Sequence, residues 1–371
     1  MGQYVYQLAL HLPRLAPEFE FLLLLDRRLQ EGDLPTGCRQ VLIGRPFSTQ
    51  SQSKSGIGAQ LLSLYWMNVL VPQVLRRERV DVFHGTNFAL PLFTSGCFVA
   101  TVHDLIYARV PGAFEPKYEK YLSCLVPRSV HRARRVIAVS ETTRRDIIEL
   151  LNAEPERVVT VHHGVEPIYK PDQELEYLER VRRKLDLPER FILHVGAIER
   201  RKCLEALVRA CARLFNKGRI DALVLAGEEG YGAEGVRRVI AETGVTNQVR
   251  YLGYVPQELI PGLYRLATVL TLVSWYEGFG MPVLEAMACG TPVVTANVSA
   301  LPEVAGDAAL LVTPNRPDEL ERALERVLTD EALRSELRAK GLARAGQFTW
   351  EKTAAKHVEV YRQVLEEKRG V

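Results

Sequence analysis

Short apolar runs alternate with longer amphipathic stretches along most of this chain. Several runs are apolar or β-branched at nearly every position, the pattern of strands buried on both faces of a parallel sheet: residues 98–102, 191–195, 222–226 and 268–274. Other stretches place apolar side chains at helical spacing, among them residues 3–15, 331–345 and 350–366, the last with Ala354, Val358, Tyr361 and Leu365 on one face. The alternation predicts an α/β fold of parallel sheets covered by helices.

The chain has 371 residues, which is enough for two domains of ordinary size, each with its own core. Pro167 and Pro171 precede a charged helical segment, so residues 166–188 are the best candidate for an interdomain linker. We predict the following division: a first Rossmann-like domain at residues 1–170, a second at 171–348 and a terminal helix at 349–371 that packs back on the first domain.

The beginning of the chain departs from this pattern. A Rossmann-like domain starts with a strand and a glycine-rich turn before its first helix. This chain starts with the helix predicted at residues 3–15, followed by a strand at 21–25. We therefore expect the first domain to lack its first strand. Residues 47–58 are rich in Ser, Gln and Gly and predict a mobile loop.

Composition excludes several classes of protein. Apolar residues make up 47% of the chain, charged residues 25%, and the net charge is only +3, values typical of a soluble globular protein and unlike those of a nucleic-acid binder. The six cysteines form no C-x-x-C pair and do not cluster with histidines, which favours a reduced, cytoplasmic protein without a metal site. No apolar run approaches the length of a membrane span.

The most informative stretch, residues 268–296, has the pattern of strand, loop, helix and strand. Gly278 and Gly280 interrupt the first strand with a turn. Pro282 suits the start of a helix and Gly290 suits its end. Such a turn presents free backbone N–H groups and the positive end of a helix dipole at the carboxyl edge of a parallel strand, where open α/β sheets bind phosphates.

Two carboxylates bracket this turn. Glu277 precedes the glycines, and Glu285 lies about one helical turn beyond Pro282. Taken singly, Glu277 is typical of a solvated loop acid and Glu285 of a favourable charge near a helix N-terminus. As a pair with seven residues between them, around the string EGFGMP, both are placed to meet one bound ligand.

The string YEGFGMPVLEAMACGTPVV resembles the signature of the retaining glycosyltransferases of family 4, which have the GT-B fold, two Rossmann-like domains facing each other across a cleft. The resemblance implies that Glu285 holds the ribose of a nucleotide sugar and that Glu277 contacts the donor sugar near the reacting centre. It also implies that backbone groups of the turn lie over the sugar and the diphosphate, namely those of Gly278, Phe279, Gly280 and Met281.

The resemblance extends to three other loops of the second domain. Arg201 and Lys202 match the family's E-P-R-K-N motif and would neutralise the leaving diphosphate, although Arg200 replaces the Pro and Cys203 the Asn. The other donor-side candidates follow predicted strands: Gly196, Gly227, Gly253, Tyr254 and Val255, the last three lying against the nucleobase in the family. The next helix contains Tyr264, which we interpret as a packing residue.

The acceptor-side candidates come from the first domain. His103-Asp104-Leu105 resembles the family motif in which the histidine approaches the donor sugar across the cleft, although a single His after a strand is often a packing residue. His84 and Asn87 follow another predicted strand, and Gly2 resembles the end of the family's glycine-rich loop.

The resemblance implies a retaining glycosyltransferase that moves a hexose, with mannose from GDP-mannose favoured, onto a saccharide or lipid-linked saccharide. We expect no cofactor or metal besides the nucleotide-diphosphate sugar, because Arg201, Lys202 and the helix N-terminus can carry the charge of the leaving group. The expected location is the cytoplasm, at the inner face of the membrane for a lipid-linked acceptor. Two alternatives stay open: an epimerase or phosphorylase on the same scaffold, and a non-catalytic nucleotide-sugar-binding or assembly protein.

Overall fold

A computed structural model describes residues 2–25, 36–43 and 62–370 of the chain, so the loop predicted at residues 47–58 lies outside the described residues. The chain forms two compact units. The N-terminal unit comprises residues 1–108, 116–164 and 350–371, and the C-terminal unit comprises residues 109–115 and 165–349. Both units contain parallel sheets with helices, which confirms the predicted α/β class.

The described strands of the N-terminal unit form two parallel sheets. These strands are Phe21–Leu25 (β1), Cys38–Leu42 (β2), Phe83–Gly85 (β3), Phe98–Val102 (β4), Arg135–Ala138 (β5) and Val158–Thr160 (β6). β1 and β2 pair with each other, and the second sheet has the order β3-β4-β5-β6. Val80 lies before β3 and is not part of the sheet. Its N–H instead donates to the carbonyl of Leu75 at 2.9 Å, in the turn that follows the helix Val71–Arg77.

The helices of this unit carry apolar faces that cover its sheets. They are Gln3–Leu15 (α1), Val71–Arg77 (α2), Ile106–Arg109 (α3), which ends at the unit boundary, Pro116–Arg132 (α4), Glu141–Leu151 (α5) and the terminal helix Trp350–Arg369. A π-helical turn at Trp66–Leu70 runs into α2. Ser140 caps α5 by accepting a hydrogen bond from the Thr143 N–H at 3.0 Å.

The core of the N-terminal unit joins both ends of the chain. Leu8 and Leu12 of α1 pack in one cluster with Ile137 of β5 and with the terminal helix. The predicted face of that helix is largely confirmed, except that Val364 is fully buried and Leu365 only partly so. A period of 3.6 residues can place either position over the core, and packing decided between them.

The C-terminal unit has a single six-stranded parallel sheet in the order β12-β11-β10-β7-β8-β9. Its strands are Phe191–Val195 (β7), Ala222–Ala226 (β8), Val249–Gly253 (β9), Val269–Leu272 (β10), Val293–Ala296 (β11) and Leu310–Val312 (β12). The strand order reverses between the neighbours β7 and β10. Open α/β sheets bind ligands beyond the carboxyl ends of strands at such a switch point, so the loops after β7 and β10 are the place to look for a site.

Helices alternate with the strands of the C-terminal unit. They are Leu175–Lys184 (α6), Leu204–Asn216 (α7), Ala233–Thr243 (α8), Ile260–Leu266 (α9), Met281–Ala288 (α10), Leu301–Ala305 (α11), Pro317–Thr329 (α12) and Glu331–Ala345 (α13). The segment predicted as a linker lies within this unit, where Val181 of α6 is fully buried. The Tyr177 hydroxyl donates to the Glu258 carbonyl at 2.8 Å and attaches α6 to the residues before α9.

Candidate functional site

The loops after β7 and β10 meet at the carboxyl edge of the six-stranded sheet. The backbone N–H of Trp275 donates to the carbonyl of Arg201 at 2.8 Å and ties the two loops together. Gly280, just before α10, has a left-handed φ of +104°, and a Cβ there would lie 2.8 Å from Leu301 Cδ2. Only glycine fits both this backbone angle and this space, so Gly280 fixes where the helix begins. Pro282 lies in the first turn of α10, as predicted.

Glu277 is enclosed by cations. Its side chain is 13% exposed, and its Oε1 accepts hydrogen bonds from Lys202 Nζ, from Arg201 Nη1 at 3.3 Å and from the Ser274 hydroxyl at 2.6 Å. Burial alone would raise the pKa of Glu277, but the charges of Lys202 and Arg201 outweigh burial and lower this pKa to about 2. The interpretation of Glu277 as a solvated loop acid is therefore wrong.

The two cations lie on a 3₁₀ turn, Arg200–Lys202, that follows β7. Lys202 is 5% exposed, and the Arg201 guanidinium also donates to a carboxylate oxygen of Glu199 at 2.7 Å. Cys203, with a left-handed φ of +53°, ends the turn and precedes α7. The arrangement places Arg201 and Lys202 beside the ionised carboxylate of Glu277, with Glu199 as a second partner of Arg201. Such a cluster can stabilise an anion and orient a neutral hydroxyl group.

Three glycines bring the loops after β7, β8 and β9 into close contact. A Cβ on Gly227 would lie 2.1 Å from the carbonyl oxygen of Gly196, and the N–H of Gly227 donates to the Gly253 carbonyl at 2.8 Å. Only glycine permits this approach at Gly227. Tyr254 is 73% exposed, whereas Val255 is buried, so Tyr254 is the member of the pair that is accessible to a ligand.

The backbone candidates of the turn all lie between β10 and the start of α10. Gly278 and Phe279 are buried and Met281 is partly buried. The Phe279 ring packs edge-on against Phe348, with 5.9 Å between ring centroids. This packing holds the turn in place, and the proposed contacts of its N–H groups with a ligand stay predictions.

His194 was missed by the sequence reasoning. It is fully buried in β7, and its Nδ1 lies 3.1 Å from the carbonyl oxygen of Thr271, which can only accept, so Nδ1 carries the proton. Burial and the positive charge of Lys202 lower the pKa of His194 to about 4. The sequence signal that could have identified His194 is a histidine within the otherwise apolar strand at residues 191–195.

Glu285 lies on α10 in a different environment. The hydroxyl of Tyr264, on α9, donates to Glu285 Oε2 at 2.7 Å, and Tyr169 also hydrogen-bonds to this carboxyl group. Burial raises the pKa of Glu285 to about 7, with a further increase from Glu166. The interpretation of Tyr264 as a packing residue was incomplete, because its ring is fully buried but its hydroxyl contacts Glu285.

The N-terminal unit contains a separate buried polar network. His84 hydrogen-bonds to the Tyr361 hydroxyl through Nδ1 and to the Thr101 hydroxyl through Nε2, both at 2.7 Å. The Tyr4 hydroxyl lies 2.9 Å from Thr101 Oγ1 and 2.7 Å from His357 Nε2. Burial lowers the pKa of His84 well below its usual range and that of His357 to about 4. His84 is thus part of an internal network, which does not favour direct contact with an acceptor.

His103 borders this network. Its Nε2 donates to the Thr86 carbonyl at 2.9 Å, and the ring of Tyr4 packs edge-on against it with 4.9 Å between centroids. Burial lowers the pKa of His103, which favours the neutral form of the ring. A carboxylate oxygen of Asp104 accepts the Ile106 N–H at 3.1 Å and thereby supports the start of α3.

The two remaining acceptor-side candidates have simple surroundings. Asn87 is exposed in the loop after β3. Gly2 is exposed and precedes α1, where its carbonyl accepts the Tyr6 N–H at 3.1 Å. Neither position by itself adds to the evidence for an acceptor site.

Two features are absent from the described part of the chain, residues 2–25, 36–43 and 62–370. There, no group of three or more His, Cys, Asp or Glu side chains is arranged to hold a metal ion. Within the same residues, no helix combines the length and apolar character needed to cross a membrane. The six cysteines are free thiols, of which Cys97, Cys203, Cys211 and Cys289 are buried.

Comparison with known proteins adds three findings. The family described as "Glycosyl transferases group 1" matches residues 178–344, and "Glycosyltransferase Family 4" matches residues 1–168. O-antigen chain mannosyltransferase B of Escherichia coli is 34% identical over 289 residues, which cover 78% of this chain and 76% of that protein. Serotype-specific mannosyltransferase WbdA of Escherichia coli is 30% identical over 275 residues, 72% of this chain but only 34% of that protein, so the chain spans about a third of WbdA.

Among solved structures, sucrose-phosphate synthase from Thermosynechococcus elongatus superposes with a TM-score of 0.79. The superposition covers 99% of this chain and 94% of that chain at 24% sequence identity. At that level of identity, the likeness shows a shared fold.

Proposed function

This chain belongs to the family 4 glycosyltransferases of the GT-B fold, and we propose that it moves mannose from GDP-mannose to a hydroxyl group of a saccharide or lipid-linked saccharide, with retention of configuration. Two relatives named as mannosyltransferases support mannose as the transferred sugar. The observation that carries the proposal is the buried cluster of Arg201, Lys202 and Glu277 at the switch point of the sheet.

The proposed catalysis is electrostatic stabilisation of the departing diphosphate. Negative charge develops on the nucleotide diphosphate as the bond to the sugar breaks, and Arg201, Lys202 and the N-terminus of α10 supply positive charge. Lys202 is nearly buried, so its charge acts in surroundings of low dielectric constant. One preorganised donor of this kind is worth roughly 3 kcal/mol in the transition state. These groups make a metal ion unnecessary in the proposed reaction.

The two glutamates have different proposed roles. Glu277 is ionised at neutral pH, since its pKa is about 2, and accepts hydrogen bonds from hydroxyl groups of the donor sugar. We assign it an orienting role, with the acceptor hydroxyl attacking from the face that the diphosphate leaves, as the family relationship implies. Glu285 accepts hydrogen bonds from the ribose. His103, neutral and fixed by Thr86, is the proposed acceptor-side residue.

The acceptor determines the proposed location. A saccharide built on a lipid carrier would bring the enzyme to the inner face of the membrane, whereas a free saccharide would be glycosylated in the cytoplasm. Incubation with membranes that contain the lipid-linked acceptor, followed by sedimentation, distinguishes the two locations.

The experiment that tests the function measures nucleotide release and sugar transfer from a panel of nucleotide sugars to short mannosides. We expect transfer from GDP-mannose, with the α-linked donor sugar forming an α-linked product visible by NMR. Transfer from UDP-sugars alone would overturn the proposed donor, and a β-linked product would overturn retention.

The division of labour between the glutamates needs two variants. We expect Glu277→Ala to lower kcat by about 10²-fold or more with little change in the Kd for GDP, because the orienting contact acts on the sugar. Glu285→Ala is expected chiefly to weaken GDP binding. Equal effects of both variants on both quantities would contradict the assignment.

A further inference from the structure

The carboxyl group of Glu285 is held by two tyrosines rather than by cations. Tyr264 donates from α9 at 2.7 Å, and Tyr169 hydrogen-bonds from the segment before α6. The two rings pack edge to face, with 6.0 Å between centroids. Glu285 therefore has neutral hydrogen-bond partners, in contrast to Glu277, whose partners include Arg201 and Lys202.

Both tyrosines are fixed in position. Tyr264 is fully buried, and its backbone carbonyl accepts the Thr291 hydroxyl at 2.7 Å. Tyr169 is 9% exposed, and its N–H donates to the Glu166 carbonyl at 3.1 Å. Because neither ring can turn without losing buried contacts, the two hydroxyl groups point at the carboxyl group before any ligand arrives.

The ionisable groups that face Glu285 come from three parts of the unit. Glu166 and Tyr169 lie before α6, Tyr264 lies on α9, and the Cys289 thiol follows α10. Burial and the charge of Glu166 raise the pKa of Glu285, whereas the hydrogen bonds from Tyr264 and Tyr169 lower it. The charge state of this carboxyl group near neutral pH thus depends on the two hydroxyl groups.

We propose that Tyr264 and Tyr169 are positioning residues for Glu285, which keep its carboxyl group oriented and ionised so that it accepts the hydroxyl groups of a nucleoside diphosphate, and thereby make nucleotide binding pH-dependent. This inference rests on the proposed role of Glu285 in binding the nucleotide. An ionised carboxylate accepts hydrogen bonds through both oxygens, whereas in the protonated acid one oxygen carries a proton and the group accepts fewer hydrogen bonds. Affinity therefore rises as the pH passes through the pKa of Glu285.

The variant Tyr264→Phe removes one hydroxyl group and keeps the buried ring. The ionised form of Glu285 loses a hydrogen bond, so the pKa of Glu285 rises further. At pH 7 about half of Glu285 is ionised in wild type, and a pKa higher by about one unit leaves about a tenth ionised, so the variant is expected to bind GDP about fivefold more weakly. At pH 9, where the carboxyl group is ionised in both proteins, the two affinities are expected to converge.

The test is isothermal titration calorimetry with GDP at pH 6, 7, 8 and 9 on the full chain. It compares wild type, Tyr264→Phe, Tyr169→Phe and the control Tyr177→Phe. The Tyr177 hydroxyl donates to the Glu258 carbonyl and accepts the N–H of Gly262 on α9, so the control loses a hydroxyl beside the same helix without touching Glu285. Tyr169→Phe tests the proposal independently if Tyr264→Phe fails to fold.

A weakening of GDP binding by the Tyr264 or Tyr169 variants that is confined to low and neutral pH supports the proposal. An equal weakening at every pH shows a merely structural role and overturns it, as does a control that behaves like the other two variants.

The infrared band of the protonated Glu285 carboxyl group, identified by its loss in Glu285→Gln, gives a readout without nucleotide. If this band disappears at the same pH in wild type and in Tyr264→Phe, the pKa of Glu285 does not depend on the Tyr264 hydroxyl, and the positioning role is overturned even if GDP binds. Wild type that binds no nucleotide while the band shifts as expected refutes the proposed function instead.

Discussion

Replacing Glu277 by glutamine removes the charge that Arg201 and Lys202 share while keeping the shape of the side chain. The lowering of the pKa of Glu277 from 4.5 to about 2 measures how much the folded protein favours its ionised form. At about 1.4 kcal/mol per pKa unit, this amounts to about 3 kcal/mol. Removal of one partner from a buried ion pair costs a similar amount, about 3–5 kcal/mol. We therefore expect Glu277→Gln to lower the free energy of unfolding of the C-terminal unit by about 3 kcal/mol.

The assay is urea unfolding at pH 7, with Glu242→Gln as the matched control. Glu242 pairs with Arg209 at 2.9 Å, but both side chains are nearly half exposed, so this change is expected to cost less than about 1 kcal/mol. Because the pKa of Glu277 is lowered in the folded state, its contribution is present above the unfolded-state pKa, near 4.5, and is lost as the pH falls through about 2. The difference between Glu277→Gln and wild type should therefore shrink below pH 4.5.

A loss of stability for Glu277→Gln no larger than that for Glu242→Gln would refute the reasoning. Pyrophosphate offers a second readout. Glu277→Gln keeps Lys202 and keeps Arg201 with its second partner Glu199, so pyrophosphate should stabilise the folded state of both the variant and wild type. If pyrophosphate stabilised neither protein, Arg201 and Lys202 would not form an anion site.

Two further predictions concern the turn and the N-terminal unit. In Gly280→Ala, the alanine is forced into a left-handed φ and into contact with Leu301, so we expect the free energy of unfolding in urea to fall by about 1–2 kcal/mol and GDP to bind more weakly. The control for backbone strain is Gly244→Ala, which also has a positive φ but has open space around it. The two variants should differ in their affinity for GDP. Burial lowers the pKa of His357 to about 4, so its contribution to stability is present above pH 6.5 and is lost as the pH falls through about 4. The urea concentration at the unfolding midpoint should therefore fall between pH 7 and pH 5, and it should fall less steeply in His357→Gln. Midpoints that change with pH in parallel in the variant and wild type would contradict this.

The sequence alone determined the elements and the family. The bounds of α1, β1, β4, β7 and β8 agree with those predicted, because apolar periodicity directly reflects which faces are buried. Gly280, Pro282 and Gly290 marked the turn and both ends of α10, since these residues act through their own backbone preferences. The local motif around Glu277 and Glu285 identified both carboxylates as candidates.

Only the tertiary structure decided the chemical state of those candidates. Glu277 and Glu285 are eight residues apart in one motif, yet one has a pKa of about 2 and the other of about 7. The difference comes from Lys202 on the loop after β7 and from Tyr264 on another helix, partners that are distant in sequence. Local residue patterns report backbone preference and burial, whereas the pKa of a carboxyl group depends on which charges and hydroxyl groups the fold brings within a few ångströms of it.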